Sequence, residues 1–474
     1  MKQKNNKKNW IVVILTVIVL TVAVVLIVVL PKKASSNNNP ATCDHHYEVT
    51  DEITPDEFTP GKTVFKCTNC GSEKTERINA TGSLPQLYLD GDMQGIAKDN
   101  EVFVKTDYID GDDSFTADSK IKYQGHTSML YDKKNYTIKL YSDDSFSDKK
   151  KVSLHGWDKC SKFCLKANYI DFSQARNIVS NNIWSDVVKS RKNLDSHIAG
   201  LQFNGAIDGY PIMLFVNGEY QGLYTMNIPK DDDTYEIGDD EGEALFVINS
   251  PDSDSAHFKS EISDEDRKTI FDLEYSFDDD EELPFDSMNR LIRFVIDNDG
   301  ENFKNGIGDY LDVDSAIDYL ITAYYLGLTD NFNKNVLLLT YHGQKWIVSL
   351  YDLDTAFGLA FDGSKIFKTD YQAPSVKGDG TIDSGTDNLL WDRILNNYSD
   401  EIKARYTELR STVLDNDSVV GRYAAFINKI PQSYYDKDLE LWGDIPLHNE
   451  NNIEQIKSYL EARSAILDNF FDTL

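Results

Sequence analysis

Two clusters of carboxylate and amide side chains flank a pair of apolar runs in the second half of the chain. Asp330 and Asn335 precede the run VLLL, and Asp352 follows the run KWIVSL. Burial of an ionised carboxylate beside apolar residues costs free energy unless a positive charge compensates it. The two runs and their connection TYHGQ predict a β-hairpin, which returns the end of the second run beside the start of the first. We therefore expect Asp330, Asn335 and Asp352 to converge on a divalent metal ion.

A glycine turn followed by a strand lysine indicates a second chemistry, the binding of an anion. In the segment YQGHTSMLYDKKNYTIKL, Gly125, Thr127 and Ser128 offer backbone N–H groups. Lys139 lies in the predicted strand NYTIKL, on the opposite face from the apolar residues. A lysine in this position can hold phosphate groups, although a strand lysine taken alone is usually a surface residue.

Together these side chains correspond to the parts that protein kinases use for phosphoryl transfer. In those enzymes a loop Asp faces the substrate hydroxyl, an Asn and a second Asp hold Mg²⁺, and a strand Lys holds the phosphates of ATP. Each cluster alone is typical of a helix cap or a turn. Their occurrence in this order favours an enzyme.

The composition restricts the class of partner. The chain has 474 residues, enough for two or three domains with a sizeable core. Its 26 Tyr and 23 Phe are typical of a globular protein rather than of a disordered chain. The net charge of -31 disfavours nucleic acid as a partner, because phosphate backbones bind to basic surfaces. An acidic domain still binds ATP when metal ions and a local lysine offset the phosphates.

The first forty residues predict a membrane anchor. Residues 1–9 form a basic tail, Trp10–Leu30 is an uncharged run of 21 residues, and residues 31–40 form a polar linker. At a rise of about 1.5 Å per residue the run spans about 31 Å, close to the hydrocarbon thickness of a bilayer. Four lysines precede the run and two follow it. We therefore expect a single-pass protein of the cell membrane with a cytoplasmic N-terminus and an extracellular C-terminal domain.

The next segment, residues 41–80, combines a Cys-x-His pair with a Cys-x-x-Cys-Gly knuckle. Cys43, His45, Cys67 and Cys70 match the ligand set of a tetrahedral structural zinc site. The spacing predicts a small zinc-ribbon-like module that needs Zn²⁺ because it is too short to build a hydrophobic core. A disulfide with one free thiol is the alternative outside the cell.

The remainder, residues 84–474, predicts one α+β domain that is β-rich first and helix-rich second. Strand patterns continue to Met226, and Asn217-Gly218 between two apolar runs predicts a hairpin with a type I′ turn. The segment DFSQARNIVSNNIWSDVVKS predicts a helix with Ser173 as its N-cap. Longer helical patterns follow toward the C-terminus. The metal-binding cluster lies at the junction of the two halves.

The chain resembles the CotH kinase family, atypical protein kinases first associated with bacterial spore coats. The resemblance runs from about Lys120 to the C-terminus and rests on the motifs YQGHTS, KKNYTIKL, LKANYIDFSQARN, VNGEYQGLY, DNFNKN and YDLDTAFG. It implies an atypical protein-kinase-like fold with a β-rich N-lobe and a helical C-lobe. It also implies use of ATP with Mg²⁺ or Mn²⁺, and transfer of phosphate to Ser or Thr of cell-surface or spore-coat proteins.

By position, the resemblance gives each candidate residue a role. Asp330 of DNFNKN takes the catalytic-loop role, and Asn335 takes a metal-binding role. Asp352 of YDLD takes the position of the catalytic metal ligand, with Asp354 in support. Lys139 and the glycine turn hold the phosphates of ATP.

Two features of the motifs leave roles open. Family members often carry Arg-Gly-Asn-Ser-Thr where this chain has Gln124–Ser128, which removes a positive charge beside the phosphates. The polar residues of LKANYIDFSQARN suit either catalysis or structural support, and we favour structural support. These residues are Lys166, Asn168, Arg176 and Asn177.

Two functions without catalysis are the alternatives. ATP is scarce outside a cell, which favours a non-catalytic cell-surface protein that uses this fold for adhesion or binding. An acidic domain also suits Ca²⁺-dependent binding of carbohydrate, but the sequence has neither a twelve-residue calcium loop with its closing Glu nor a recognisable aromatic platform. The presence of every candidate metal-site residue favours the kinase.

Overall fold

The structure, a computed structural model, describes residues 43–238, 240–277 and 281–474. The chain divides into two compact units, a small one that ends at Thr81 and a large one, Gly82–Leu474. The predicted membrane span, Trp10–Leu30, lies outside the described residues, as do the basic tail and the linker. In the described part of the chain, no helix combines the length and the apolar character that crossing a membrane requires.

The small unit contains a three-stranded antiparallel sheet. Its strands, in pairing order, are β1 (Tyr47–Ile53), β2 (Gly61–Cys67) and β3 (Glu73–Ile78). Most side chains on β1 and β3 are exposed. Among the described residues of this unit, Cys67 and Ala80 are the hydrophobic residues that are buried. The sheet therefore has almost no hydrophobic core of its own.

The first half of the large unit is a closed barrel of seven strands. The strands are β4 (Gln86–Asp90), β5 (Val102–Ile109), β6 (Phe115–Gln124), β7 (Asn135–Tyr141), β8 (Lys162–Lys166), β9 (Gly209–Val216) and β10 (Glu219–Asn227). They pair in the order β10-β8-β7-β6-β5-β4-β9, and β9 pairs with β10 to complete the ring. The pairing of β4 with β9 is parallel, and the other pairings are antiparallel.

Alternation of side chains along the strands builds the core of the barrel. On β5, Val102, Val104 and Tyr108 are buried, and more exposed residues lie between them. On β7, Ile138 and Leu140 belong to the same apolar cluster. Removing this apolar surface from water contributes about 25 cal/mol per Å² to the stability of the barrel. The residues between them on β7 lie on the opposite face of the strand.

The hairpin between β9 and β10 turns at Asn217-Gly218, as predicted. Both residues have left-handed backbone conformations, with φ of 51° and 80°. A type I′ turn requires positive φ at both central positions, which Asn and Gly tolerate better than other residues. The side chain of Asn217 also accepts a hydrogen bond from the backbone N–H of Gly91 and donates one to its carbonyl, at 2.9 and 3.0 Å. The turn is thereby fixed to the end of β4.

Helix α1 (Arg176–Lys189) follows β8 and begins later than predicted. The predicted N-cap, Ser173, lies outside the helix, and the N-cap position is occupied by Ala175. Asp171 provides the hydrogen bonds instead: its carboxylate accepts from the backbone N–H of Arg176 at 2.8 Å and from the Arg176 guanidinium at 2.6 Å. An ionised acceptor makes a stronger hydrogen bond than a hydroxyl, so the carboxylate determines where the helix starts.

A second sheet contains the hairpin predicted between the two apolar runs. Its strands are β11 (Ala244–Ile248), β12 (Phe271–Ser276), β13 (Val336–Thr340) and β14 (Ile347–Leu350), paired antiparallel in the order β12-β11-β13-β14. Every residue of β11, β13 and β14 is buried. Val336 pairs with Leu350 in the β13–β14 hairpin. The residues just before β13 and just after β14 therefore lie side by side.

Helices make up most of the second half of the large unit. The helices after α1 are α2 (Ser196–Gly200), α3 (Asp232–Tyr235), α4 (Asp266–Thr269), α5 (Glu282–Asp297), α6 (Gly300–Gly306), α7 (Val313–Leu326), α8 (Leu389–Asn397), α9 (Ser399–Arg410), α10 (Asn416–Ile427), α11 (Gln432–Trp442) and α12 (Ile453–Thr473). A short sheet pairs β15 (Ser375–Val376) with β16 (Ile382–Asp383). Helix α7 is buried along most of its length and packs against β14. The large unit is a mixed α+β domain, β-rich first and helix-rich second, as predicted.

A buried ion pair joins the barrel to helix α11. The ammonium of Lys133 lies 2.7 Å from Asp438 Oδ2, and both side chains are almost completely buried. Lys133 also donates a hydrogen bond to the carbonyl of Leu223 at 2.6 Å, and the backbone N–H of Leu223 donates to Asp438 Oδ1 at 2.9 Å. Burial lowers the pKa of Lys133, and Asp438 opposes this shift. Loss of either partner would leave a buried charge unpaired.

We predict that Asp438→Asn lowers the free energy of unfolding by about 3 kcal/mol or more, because Lys133 then lies buried without a counter-charge. Glu440→Gln on the same helix is the matched control. The Glu440 side chain is 68% exposed in its pair with Lys437, so we expect a loss of at most about 0.5 kcal/mol. Urea unfolding followed by tryptophan fluorescence measures both variants. Equal losses would show that the buried pair contributes no more than a surface pair.

Candidate active site

One cavity of about 900 Å³ contains all the residues that the sequence predicted for phosphoryl transfer. Its volume is within the range of about 300–1,000 Å³ that is typical of ligand sites. The predicted residues that line it are Gly125, Thr127, Ser128, Lys139, Asp330, Asn335, Asp352 and Asp354. The barrel contributes the glycine turn and the lysine. The second sheet and its connections contribute the carboxylates and the amide.

Asn335 and Asp352 meet at the cavity because the β13–β14 hairpin ends there. Asn335 directly precedes Val336 and Asp352 follows Leu350 by two residues, so the register of the hairpin places both at one end. Their backbones are left-handed, with φ of 54° and 56°. Asn and Asp adopt this conformation more readily than other residues with a side chain, and non-glycine residues that hold it are concentrated at functional sites. The backbone N–H of Asn335 donates to the carbonyl of Ile248 at 2.7 Å, which anchors the residue to the sheet.

Asp330 lies in the turn between α7 and β13. Its Oδ2 accepts hydrogen bonds from Lys334 Nζ at 3.0 Å and from Asn335 Nδ2 at 3.2 Å. The next residue, Asn331, is buried and donates from Nδ2 to the carbonyl of Tyr351 at 2.7 Å. This bond ties the turn to the segment after β14. Asp330 is therefore held beside Asn335 and at a fixed position relative to Asp352.

Lys166, for which we expected structural support, lines the same cavity. It ends strand β8, and its ammonium lies 3.7 Å from Asp352 Oδ1 with 14% of the side chain exposed. Burial lowers the pKa of Lys166, but the carboxylates of Asp352 and Asp354 outweigh burial and raise the pKa above its usual value. Lys166 is therefore charged at neutral pH. It supplies the positive charge that the partly buried Asp352 requires.

Lys139 lines the cavity from strand β7 in different surroundings. Its ammonium pairs with Glu101 at 2.8 Å, and 37% of its side chain is exposed. In protein kinases the phosphate-binding lysine lies on a strand after the glycine-rich loop and before the helix αC. Strand β8, which carries Lys166 and precedes α1, has this place in the order of elements. The order of elements and the contact with Asp352 thus favour Lys166 as the phosphate-binding lysine. Phosphate binding by Lys139 remains a prediction.

Asp354 adds a third carboxylate to the cavity. Burial raises the pKa of Asp354 well above its usual value, Asp352 and Asp330 add to the increase, and Lys166 opposes it. A cation relieves the repulsion among carboxylates that share such a site. Mg²⁺ binds oxygen ligands and requires only one or two protein carboxylates when phosphates and water supply the others. The side chains present therefore fit Mg²⁺ held together with a nucleotide.

The charge of the cavity differs from that of the whole chain. Among the described residues, nine lysines line it: Lys98, Lys122, Lys133, Lys139, Lys162, Lys166, Lys230, Lys268 and Lys334. Several of them form ion pairs, such as Lys162 with Asp231 and Lys230 with Glu274. The same lining includes six carboxylates, so lysines outnumber carboxylates by nine to six; the carboxylates are those of Asp252, Asp272, Glu274, Asp330, Asp352 and Asp354. An anionic ligand therefore has access to compensating charge even though the chain carries a net charge of -31.

The other polar residues of LKANYIDFSQARN support the segment that follows Asp352. Asn177 Oδ1 accepts a hydrogen bond from the backbone N–H of Leu353 at 3.0 Å. Arg176 Nε donates to the carbonyl of Ala356 at 2.8 Å. Asn168 Nδ2 donates to other side chains of the barrel region, Gln174 and Thr225. Arg176 and Asn177 thus hold the loop that carries Asp354. Asn168 and Asn177 also line the cavity, so structural support remains a prediction for these residues.

Gly125 gives the turn between β6 and β7 its shape. Its φ of +112° lies in a region that residues with a side chain rarely adopt. A Cβ atom at this position would lie 1.9 Å from Ser128 Oγ. Glycine at this position therefore permits both the positive φ and the close approach of Ser128. Gln124 Oε1, which is buried beside this turn, has no hydrogen-bond partner in the described part of the chain.

The predicted zinc ligands lie together in the small unit. The ligand atoms of Cys43, His45, Cys67 and Cys70 are all within 4.8 Å of one another. A second set of potential ligands lies on the barrel and consists of Asp110, Asp113 and His155. Neither its residues nor their spacing was predicted as a site, and we assign no role to this set.

A comparison with models of protein families gives a match to the family described as CotH kinase protein over residues 121–467, nearly three quarters of the chain. The matched range begins in β6 and ends in α12, so it includes the glycine turn, Lys166 and the β13–β14 hairpin. No curated protein matches the chain significantly. The matched range therefore contains the candidate residues of the cavity, which are Gly125, Lys139, Lys166, Asp330, Asn335, Asp352 and Asp354. The chain belongs to the CotH kinase family.

Proposed function

We propose that the chain is an atypical protein kinase that transfers the γ-phosphate of ATP to Ser or Thr side chains of proteins. The observation that carries the proposal is the convergence in one cavity of a glycine turn, a mostly buried lysine paired with a carboxylate, and the Asp and Asn side chains at the end of the β13–β14 hairpin. Membership of the CotH kinase family supports a kinase-like protein.

In this proposal Lys166 and the glycine turn hold the phosphates. Lys166 offers a full positive charge, and its low exposure limits the screening of that charge by water. The segment Gly125–Ser128 brings backbone N–H groups to the same cavity. Successive N–H groups in a turn make a concave surface that binds anions. The two elements together fix the position of the transferred phosphate.

Asp352 and Asn335 would bind Mg²⁺ or Mn²⁺, with Asp354 in support. When bound with ATP, the ion neutralises charge that develops on the transferred phosphoryl group. The left-handed backbone at Asn335 and Asp352 keeps both side chains at the cavity rather than on the faces of the sheet. Lys166 would then move from Asp352 toward the phosphates, because the metal ion becomes the counter-charge of Asp352 and the phosphates become the counter-charge of Lys166.

Asp330 would orient the hydroxyl that accepts the phosphate. The hydroxyl oxygen of the substrate forms a bond to the γ-phosphorus, the bond between that phosphorus and the ADP oxygen breaks, and the hydroxyl proton passes to Asp330. Both hydrogen bonds from Lys334 and Asn335 go to Oδ2. We assign Oδ1 to the substrate hydroxyl for this reason.

The N-terminal sequence supports a location for this activity. The apolar run Trp10–Leu30 and the lysines before it favour a single-pass anchor with the large domain outside the cell. The protein substrates would then be cell-surface or spore-coat proteins. This part of the proposal rests on sequence alone, because the run lies outside the described residues.

We predict that Lys166→Met weakens the binding of ATP by about 10- to 100-fold, because one hydrogen bond to a charged group is worth about 1.5–3 kcal/mol. Lys139→Met changes the affinity little, since Lys139 pairs with Glu101 and is partly exposed. Calorimetric titration with a non-hydrolysable ATP analogue and Mg²⁺ measures both affinities, and thermal unfolding confirms that both variants are folded. A loss of affinity in Lys139→Met alone would return the phosphate-binding role to Lys139.

We predict that Asp352→Asn and Asp330→Asn both lose phosphate transfer but differ in binding of Mg-ATP. Asp352→Asn removes a metal ligand, so activity falls by about 10²-fold or more and binding weakens. Asp330→Asn removes the group that receives the hydroxyl proton, so transfer is lost and binding is nearly unchanged. Asp379→Asn, in an exposed turn, is the control and keeps full activity.

Incubation of the full chain with labelled ATP and Mg²⁺ or Mn²⁺, followed by detection of labelled protein, measures the transfer. Wild-type turnover by Asp352→Asn would contradict the metal assignment. Absence of both nucleotide binding and transfer in the unsubstituted chain would contradict the kinase and favour the non-catalytic surface protein.

A further inference from the structure

The small unit brings three thiols and one imidazole to a single point. Cys43 and His45 precede β1, Cys67 ends β2, and Cys70 lies in the turn before β3. The ligand atoms of all four lie within 4.8 Å of one another. Three sulfurs and one nitrogen form a common ligand set of structural zinc sites. The ligands thus come from the segment before β1, from the end of β2 and from the turn between β2 and β3.

The distances among these atoms correspond to a tetrahedral site rather than to a disulfide. A Zn–S bond of about 2.3 Å places two sulfurs of a tetrahedron about 3.8 Å apart. Cys43 Sγ and Cys67 Sγ are 3.8 Å apart, and Cys70 Sγ lies 3.4 Å from His45 Nδ1. A disulfide requires about 2.05 Å between its sulfurs. All five cysteines of the chain are free in the structure.

The turn between Cys67 and Cys70 has the form of a metal-binding knuckle. Gly71 has a φ of 77°, and its backbone N–H donates to the carbonyl of Cys67 at 2.8 Å. The backbone N–H of Cys67 donates to the carbonyl of Ser72 at 2.8 Å, so hydrogen bonds hold both ends of the turn.

The nitrogen ligand is Nδ1 of His45, and neighbouring groups hold its ring. Nδ1 lies 3.4 Å from Cys70 Sγ and 3.3 Å from Ser72 Oγ. The ring stacks on Tyr47 with centroids 5.2 Å apart. Ser72 Oγ also lies 3.1 Å from Cys70 Sγ. The approach of Cys70 Sγ to Nδ1 is that of two ligand atoms, and the stacking on Tyr47 is the contact that orients the ring.

The small unit lacks the apolar core that would hold it folded without a metal. Cys67 and Ala80 are its buried hydrophobic residues in the described range, and Val49 and Ile53 are about half exposed. Units of this size usually require a disulfide or a metal ion for stability. Cys67, the buried cysteine of this unit, is also a member of the ligand set. Metal binding and folding of this unit are therefore coupled.

We propose that Cys43, His45, Cys67 and Cys70 bind one Zn²⁺ through three thiolates and Nδ1, and that this ion replaces a hydrophobic core in the small unit. The site is independent of the kinase site, since none of its residues lines the cavity of the large unit. Zinc content therefore tests the metal site of the small unit, and phosphate transfer tests the proposed kinase activity of the large unit.

The test is the zinc content of the full chain, purified with reductant, loaded with Zn²⁺ and dialysed. Mass spectrometry of metals is expected to give about one zinc per chain. Cys67→Ser, Cys70→Ser and His45→Ala should lose it. His46→Ala, an exposed neighbour, and Cys160→Ser, a cysteine outside the set, are matched controls that should keep it. His45→Cys should also keep zinc, because a fourth thiolate completes the tetrahedron.

A second measurement separates a lost site from an unfolded unit. Co²⁺ in place of Zn²⁺ should give the visible absorption of a tetrahedral thiolate-rich site in the unsubstituted chain and in His45→Cys. A strong chelator should make residues 47–78 sensitive to protease while the large unit stays resistant. Zinc retained by Cys67→Ser, or a disulfide between two of the three cysteines with no zinc bound, would overturn the proposal. Protease resistance unchanged by the chelator would overturn the structural role of the ion.

Discussion

The register of the β13–β14 hairpin is the constraint on which the candidate active site depends. The pairing of Val336 with Leu350 sets Asn335 and Asp352 next to each other where the strands end. A slip by one residue would exchange the side chains on the two faces of each strand. Because every residue of both strands is buried, such a slip would disrupt packing on both sides of the sheet. The hydrophobic packing of the sheet therefore decides where the polar residues lie.

Charge at the cavity is balanced locally, pair by pair. Lys166 offsets Asp352, and Lys334 offsets Asp330. Burial and the carboxylates of Asp352 and Asp330 together raise the pKa of Asp354 well above its usual value. A nucleotide and a metal ion bring charges of both signs, so they can replace these pairs without leaving a net charge buried. The large negative charge of the chain gives no indication of this balance.

Short-range patterns predicted much of the fold and of the candidate site. The turn at Asn217-Gly218 and the hairpin beside Asp352 depend on residues close in sequence, and both are present. The position of Lys166 at the cavity was not predicted. Its strand, β8, lies between β7 and β10, and the pairing of β8 with β10 joins segments that are far apart in the chain. The order of glycine turn, strand and helix along the chain was the signal that could have indicated Lys166 as the phosphate-binding lysine. Ser173 was misplaced as a cap because a buried Asp171–Arg176 pair determines where the helix begins.

The closed barrel has a consequence for how the chain folds. Strand β4, at the start of the large unit, pairs with β9, and the loops, strands and helices between them must be complete before the ring can close. Until then both strands expose unpaired backbone groups, which can pair with other chains. Non-local pairing of this kind also slows folding, because closing a long loop costs entropy before contacts reward it. A shortened chain that ends before Gly209 lacks β9, leaves the edge of β4 unpaired and would be prone to aggregate.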